Sequence, residues 1–228
     1  MWLELLAVAL WGGIVALDTT AAFQFMVSQP IVAASVVGLL MGNFPLAFAV
    51  GLFLQLIWLN ELPVGAAYFS EGNIGSVVAA AVAIFSVEVT GRPTSSLALS
   101  LLFGVLTAYI GGKVVLLMRN FNGKRYHALL TIESLKVSHI ERAHLCSLWF
   151  LFFSGVVTTF VLIFLGGRII LPLVIDFLPL FVDNWLAPVS SAFLGIGFAI
   201  LFYIFYSKRE WWLLLASVVG GFILVSLI

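Results

Sequence analysis

Apolar runs follow one another from the first residues of the chain to the last, with one extended hydrophilic interval between Lys113 and Arg142. Such a chain cannot keep its surface in water: its mean hydropathy is +1.22 and charged residues make up 9% of its 228 positions. In a bilayer every backbone N–H and C=O must be satisfied within the protein, which leaves helices or a closed barrel. Runs of about 20 apolar residues are helix-length spans. The sequence therefore predicts an all-α polytopic membrane protein, a single integral membrane domain over 1–228, with about six to eight membrane segments, some of them broken or re-entrant. No soluble catalytic domain is appended, so a phosphoryl-transfer or nucleotide site would have to come from another chain.

Charge and thiol content exclude further classes. The formal net charge is zero, so no basic excess points to nucleic acid. Cys146 is the single cysteine, which leaves neither a disulfide framework nor a soft metal site. The apolar N-terminus carries Glu4 where a secretion signal has a basic region and runs into Trp11, Gly12 and Gly13 without a clear cleavage site, so it reads as a retained first helix over Met1–Leu17.

After that helix, Thr19–Ser28 is apolar enough to enter the membrane and places Thr20, Gln24 and Ser28 at i, i+4 and i+8, one face if it is helical. Ile31–Met41 is apolar, but as a helix it covers only about 17 Å, too short to span. Leu46–Asn60 follows, then the polar stretch Glu61–Asn73. Ile74–Val89 and Ser96–Met118 read as spanning helices. Most of the chain's 10 basic residues lie between Lys113 and Arg142, which places that interval in the cytoplasm, with 119–144 a loosely amphipathic loop at the membrane surface. Leu145–Leu165 spans outward. Arg168–Trp185, with Pro172, Asp176, Pro179 and Asp183, reads as a second re-entrant or interfacial element. Leu186–Tyr206 returns to Lys208 and Arg209, and Trp211–Ile228 closes the chain. The orientation of the N-terminus stays open at this level.

The densest polar residues within apolar sequence are Asp18, Gln24, Gln29, Gln55, Asn60, Glu61, Glu71 and Asn73. An ionisable group in the membrane costs about 2.5–3.5 kcal/mol by insertion scales, so such residues are kept for a task. In the same region Leu17-Asp18 leads to Phe23-Gln24-Phe25 and Gln29-Pro30, a Gly38-Leu39-Leu40-Met41-Gly42 turn follows, and Leu59 to Ala67 reads LNELPVGAA. With Ile140-Glu141-Arg142-Ala143-His144-Leu145, this combination resembles the membrane IIC subunit of the mannose/fructose/sorbose branch of the bacterial sugar phosphotransferase system. The resemblance implies a multi-pass protein of the bacterial inner (cytoplasmic) membrane, part of an oligomer, carrying a hexose or amino sugar by an elevator-like movement. It implies a membrane partner, IID, and soluble IIA and IIB subunits that bring the phosphoryl group, with no phosphoryl-transfer residue, metal or cofactor in the IIC chain. Many relatives carry Glu where this chain has Gln55. The alternative reading is a non-transporting membrane sensor or recruitment subunit of the same family.

Sugars are held by carboxylates and amides that bridge neighbouring hydroxyls, with an aromatic ring against the C–H face. Asp18, Glu61 and Glu71 could accept; Gln24, Gln29, Gln55, Asn60 and Asn73 could do both; Trp58, Tyr68 and Phe69 could stack. Structural roles compete. Asp18 is equally suited to cap a helix over 19–28, Gln55 to bond a neighbouring helix, and the aromatics to anchor at the interface. His127, His139 and His144 lack metal-ligand spacing and sit in the basic interval, where a docking surface is the better reading. No phosphate-binding loop, dinucleotide fingerprint or nucleophile elbow occurs. The glycine pairs at 12–13, 38 and 42, 111–112, 166–167 and 220–221 read as close-packing or kink positions.

Overall fold

In a computed structural model the chain is described at residues 2–60, 70–205 and 211–227. It is an all-α polytopic membrane protein. The helices are α1 (Trp2–Thr20), α2 (Pro30–Leu40), α3 (Phe44–Ile57), α4 (Gly72–Thr90), α5 (Pro93–Leu130), α6 (Val137–Ile163), α7 (Leu171–Phe177), α8 (Val182–Leu186), α9 (Pro188–Ile204) and α10 (Trp211–Leu227), and a π-helical stretch, Phe164–Ile170, joins α6 to α7. Five helical stretches among the described residues are long and apolar enough to cross a membrane.

The centre is α4. Every residue from Ile74 to Ser86 is buried, and the run is dominated by Ala and Val. A helix that is apolar all round has no face for solvent and is enclosed by its neighbours. Its small side chains let them come close: a Cβ on Gly75 would fall 2.7 Å from the Gly104 carbonyl oxygen of α5. At its end Gly91 takes φ +65°, a left-handed C-cap that suits glycine.

The short apolar segments form a re-entrant hairpin. Pro30 starts α2 at a position where its missing N–H costs nothing. Gly42, at φ +73°, turns the chain, and the Asn43 side chain caps Leu46 N–H to start α3. Contacts of Gly38 with Ala47 and of Gly51 with Pro30 and Ala34 show the two arms lying antiparallel. At about 17 and 21 Å neither arm crosses the hydrocarbon.

Helices α1 and α6 also run antiparallel: Trp2 stacks on Phe164, Gly12 faces Thr159, and Ala16 faces Gly155. Since α6 begins beside the basic interval, α1 starts at the end of the bundle opposite that interval.

Three expectations change. Residues 21–29 are not helical; Phe23, Gln24 and Met26 have positive φ, so Thr20, Gln24 and Ser28 do not share a helical face. The interval 119–144 is not mainly loop: α5 continues to Leu130, α6 begins at Val137, and His139 Nδ1 accepts from Lys136 N–H at that start. Arg168–Trp185 is not a separate re-entrant element; the π-stretch and α7 continue α6 to Phe177, and a turn leads into α8.

Candidate functional site

The polar residues gather where α1 ends and α4 begins. Asp18 lies in the last turn of α1 and is 2% exposed. Its two carboxylate oxygens accept from Phe25 N–H at 2.6 Å and Ser28 N–H at 2.9 Å. It therefore fixes the 21–29 turn from the helix before it, and the expected N-cap of a helix over 19–28 is replaced by this role. Positive φ at non-glycine residues costs about 1–3 kcal/mol each, and the Asp18 carboxyl group supplies hydrogen bonds that hold the strained path.

Gln55 of α3 reaches back to the same turn. Its Nε2 donates to Gln29 Oε1 at 3.0 Å, and its Oε1 accepts from Ile31 N–H at 3.3 Å, one of the free N–H groups of the first turn of α2. Asn73 Nδ2 donates to Thr19 Oγ1 at 3.0 Å, tying the start of α4 to the end of α1. Asp18, Gln29, Gln55 and Asn73 thus have partners that brace the helix breaks. Gln24 and Asn60 are exposed and outside this network, and Glu61 with Tyr68 and Phe69 lies outside the described residues.

Glu71 differs. It precedes α4, is 5% exposed, and its N–H donates to Ala108 C=O at 2.9 Å, yet its Oε2 is buried with no hydrogen-bond partner. It lines a cavity of about 390 Å³ enclosed by α1, α4, α5 and α6, together with Arg119, Asn122, Ser154 and Thr158. Sequence reasoning missed those four, having read Arg119 only as a topology signal. The traceable pattern was Gly111, Val115, Met118 and Asn122 at helical spacing on α5, facing Ser154 and Thr158 one turn apart on α6. Trp58 does not stack in this cavity; its indole packs on Gly72, which leaves no room for a Cβ.

Arg92 and Asp183, at the outer end, were likewise not linked from sequence. The guanidinium donates to both Asp183 oxygens and to the carbonyls of Ile175, Leu178 and Pro179, and Ser95 Oγ donates to the same carboxylate. The fork geometry of arginine suits this many planar acceptors. It pins the α7–α8 turn to the α4–α5 turn.

A buried central helix, a half-membrane hairpin and polar groups collected at broken helix ends make this a membrane protein with carrier architecture. The sequence matches the family described as "PTS system sorbose-specific IIC component" over residues 2–228. The chain belongs to that family and is a membrane subunit of a sugar phosphotransferase system. Among solved structures it is similar in fold to one titled "Structure of membrane protein", at TM-score 0.73 and 18% identity, covering 100% of this chain and 95% of the other. It is also similar to a cryo-EM structure of the mannose transporter ManYZ with microcin E492, at TM-score 0.62 and 16% identity, covering 100% of this chain and 88% of the other. No curated protein matches the sequence.

Proposed function

We propose that this chain forms the sugar path of a mannose-family phosphotransferase system in the bacterial inner membrane, carrying a hexose or amino sugar through the region of the helix breaks. The observation that carries the reading is the concentration of Asp18, Gln29, Gln55, Glu71 and Asn73 at helix ends, in a chain of the IIC family. Broken helices at membrane depth are tolerated where they line protein or a wet cavity, and in transporters they bind the solute. The neighbouring structure's title names a mannose transporter, which agrees with a sugar cargo.

In this reading a IID membrane subunit completes the path, and soluble IIA and IIB bring the phosphoryl group to the cytoplasmic side, where α5 and α6 project. The transport step is an elevator-like movement within an oligomer. Sugar uptake by cells expressing the chain with its partners tests it: Asp18→Asn and Gln55→Ala are expected to lower uptake while the protein still reaches the membrane. Unchanged uptake and affinity in both variants would remove this region from the path.

A further inference from the structure

The hydrogen bonds at the helix breaks divide the polar residues by task. Asp18, Gln29, Gln55 and Asn73 spend polar atoms on backbone and on one another. Glu71 keeps one carboxylate oxygen buried and unpartnered, at the edge of a cavity whose volume of about 390 Å³ lies within the range of small-ligand sites, about 300–1,000 Å³. A buried acceptor without a donor is destabilising, more so when charged, so such a group is satisfied when a donor-bearing solute arrives.

We infer that the cavity among α1, α4, α5 and α6 holds an uncharged polyol, with Glu71 accepting from its hydroxyl groups. This rests on the sugar-carrier reading and deepens it, by moving the contact with sugar away from the amide cluster. Asn122 and Thr158 line the cavity with groups that can donate and accept, and Ser154, whose hydroxyl donates to Leu151 C=O at 2.8 Å, can still accept. The cargo's charge follows from Arg119, which lines the same cavity within electrostatic reach of Glu71. An ammonium group entering the cavity meets the like charge of that guanidinium, whereas a neutral polyol meets none. The cavity also has a direction. Arg119 and Asn122 lie on α5 within the basic interval, so this end faces the cytoplasm, where a phosphoryl donor would approach.

The test is equilibrium binding of radiolabelled D-mannose, D-glucose and D-glucosamine to membranes containing the full chain and its partner subunit. The variants are Glu71→Ala, Thr158→Trp, which fills the cavity from α6, and Gln55→Ala, each checked for folding by thermal melting. Wild type is expected to bind a neutral hexose at least about tenfold tighter than the amino sugar, and Glu71→Ala to lose at least about tenfold in affinity. Thr158→Trp should lose as much without altering the Glu71 region, and it decides the matter if Glu71→Ala fails to fold. Hexose binding that survives both changes, or tighter binding of D-glucosamine, overturns this inference and leaves the carrier reading standing. Absence of all binding in folded wild type overturns both.

Discussion

Changing Gly12 to alanine probes the closest approach found at any of the described glycines. The added Cβ would fall 2.1 Å from Thr159 Oγ1, 2.7 Å from Thr159 Cβ and 2.8 Å from Thr159 Cγ2. Thr159 is fully buried, and its Cβ moves only with its helix, so α1 and α6 must separate. Overpacking of this kind costs about 1–3 kcal/mol. Alanine returns about 1 kcal/mol of helix propensity over glycine, leaving a net loss of up to about 2 kcal/mol. For a chain of this size that lowers Tm by up to about 8 °C. Gly195→Ala is the control, since nothing lies within 4 Å of its Cβ position; it gains propensity without a clash, and Tm should hold or rise. Melting of the detergent-purified chain, followed by tryptophan fluorescence, reads both, and Gly12→Ala combined with Thr159→Gly should recover much of the loss despite a second glycine. Equal shifts for Gly12→Ala and Gly195→Ala, or no recovery in the double variant, would refute the packing argument.

Further outcomes follow from other contacts. Gln55→Ala removes bonds to Gln29 and Ile31 and should cost about 1–2 kcal/mol in denaturant unfolding. Gln55→Glu should keep the fold, because an amide flip of Gln29 offers the carboxylate a donor while Ile31 N–H keeps its acceptor. Arg92→Lys replaces a planar fork by a point charge that cannot reach the same set of carbonyls, so amide exchange over 178–184 should rise while α2 and α3 are unchanged. In a Cys146→Ser background, Gly123→Cys should react with an impermeant maleimide only from the cytoplasmic side and Leu180→Cys only from the outside; the reverse would invert the topology.

The helical architecture was legible because its causes are local. Apolar run length separates spanning segments from the short arms at Pro30–Leu40 and Phe44–Ile57. Gly12, Gly13, Gly38, Gly111 and Gly166 sit at close contacts, as the small-residue pattern indicates. What could not be read is set by distant partners. Residues 21–29 have the composition of a helix, and only Asp18, held in place by α1, draws their N–H groups into a turn. The basic residues from Lys113 to Arg142 report which side of the membrane they occupy but not that α5 carries most of them on one continuous helix. At the site, the sequence marked Glu71 but could not separate it from Asn73 two residues later, since the difference lies in which of them finds a partner. The Arg119, Asn122, Ser154 and Thr158 side of the cavity depends on α5 and α6 packing beside α1, a pairing that no local pattern encodes.

The measurement that bears most directly on the carrier account is binding of a labelled hexose panel to the detergent-purified chain with and without its IID partner. The account predicts saturable binding of a hexose that requires the partner and weakens on Asp18→Asn. No binding in either preparation of demonstrably folded protein would contradict it and favour a subunit that senses or recruits without carrying sugar.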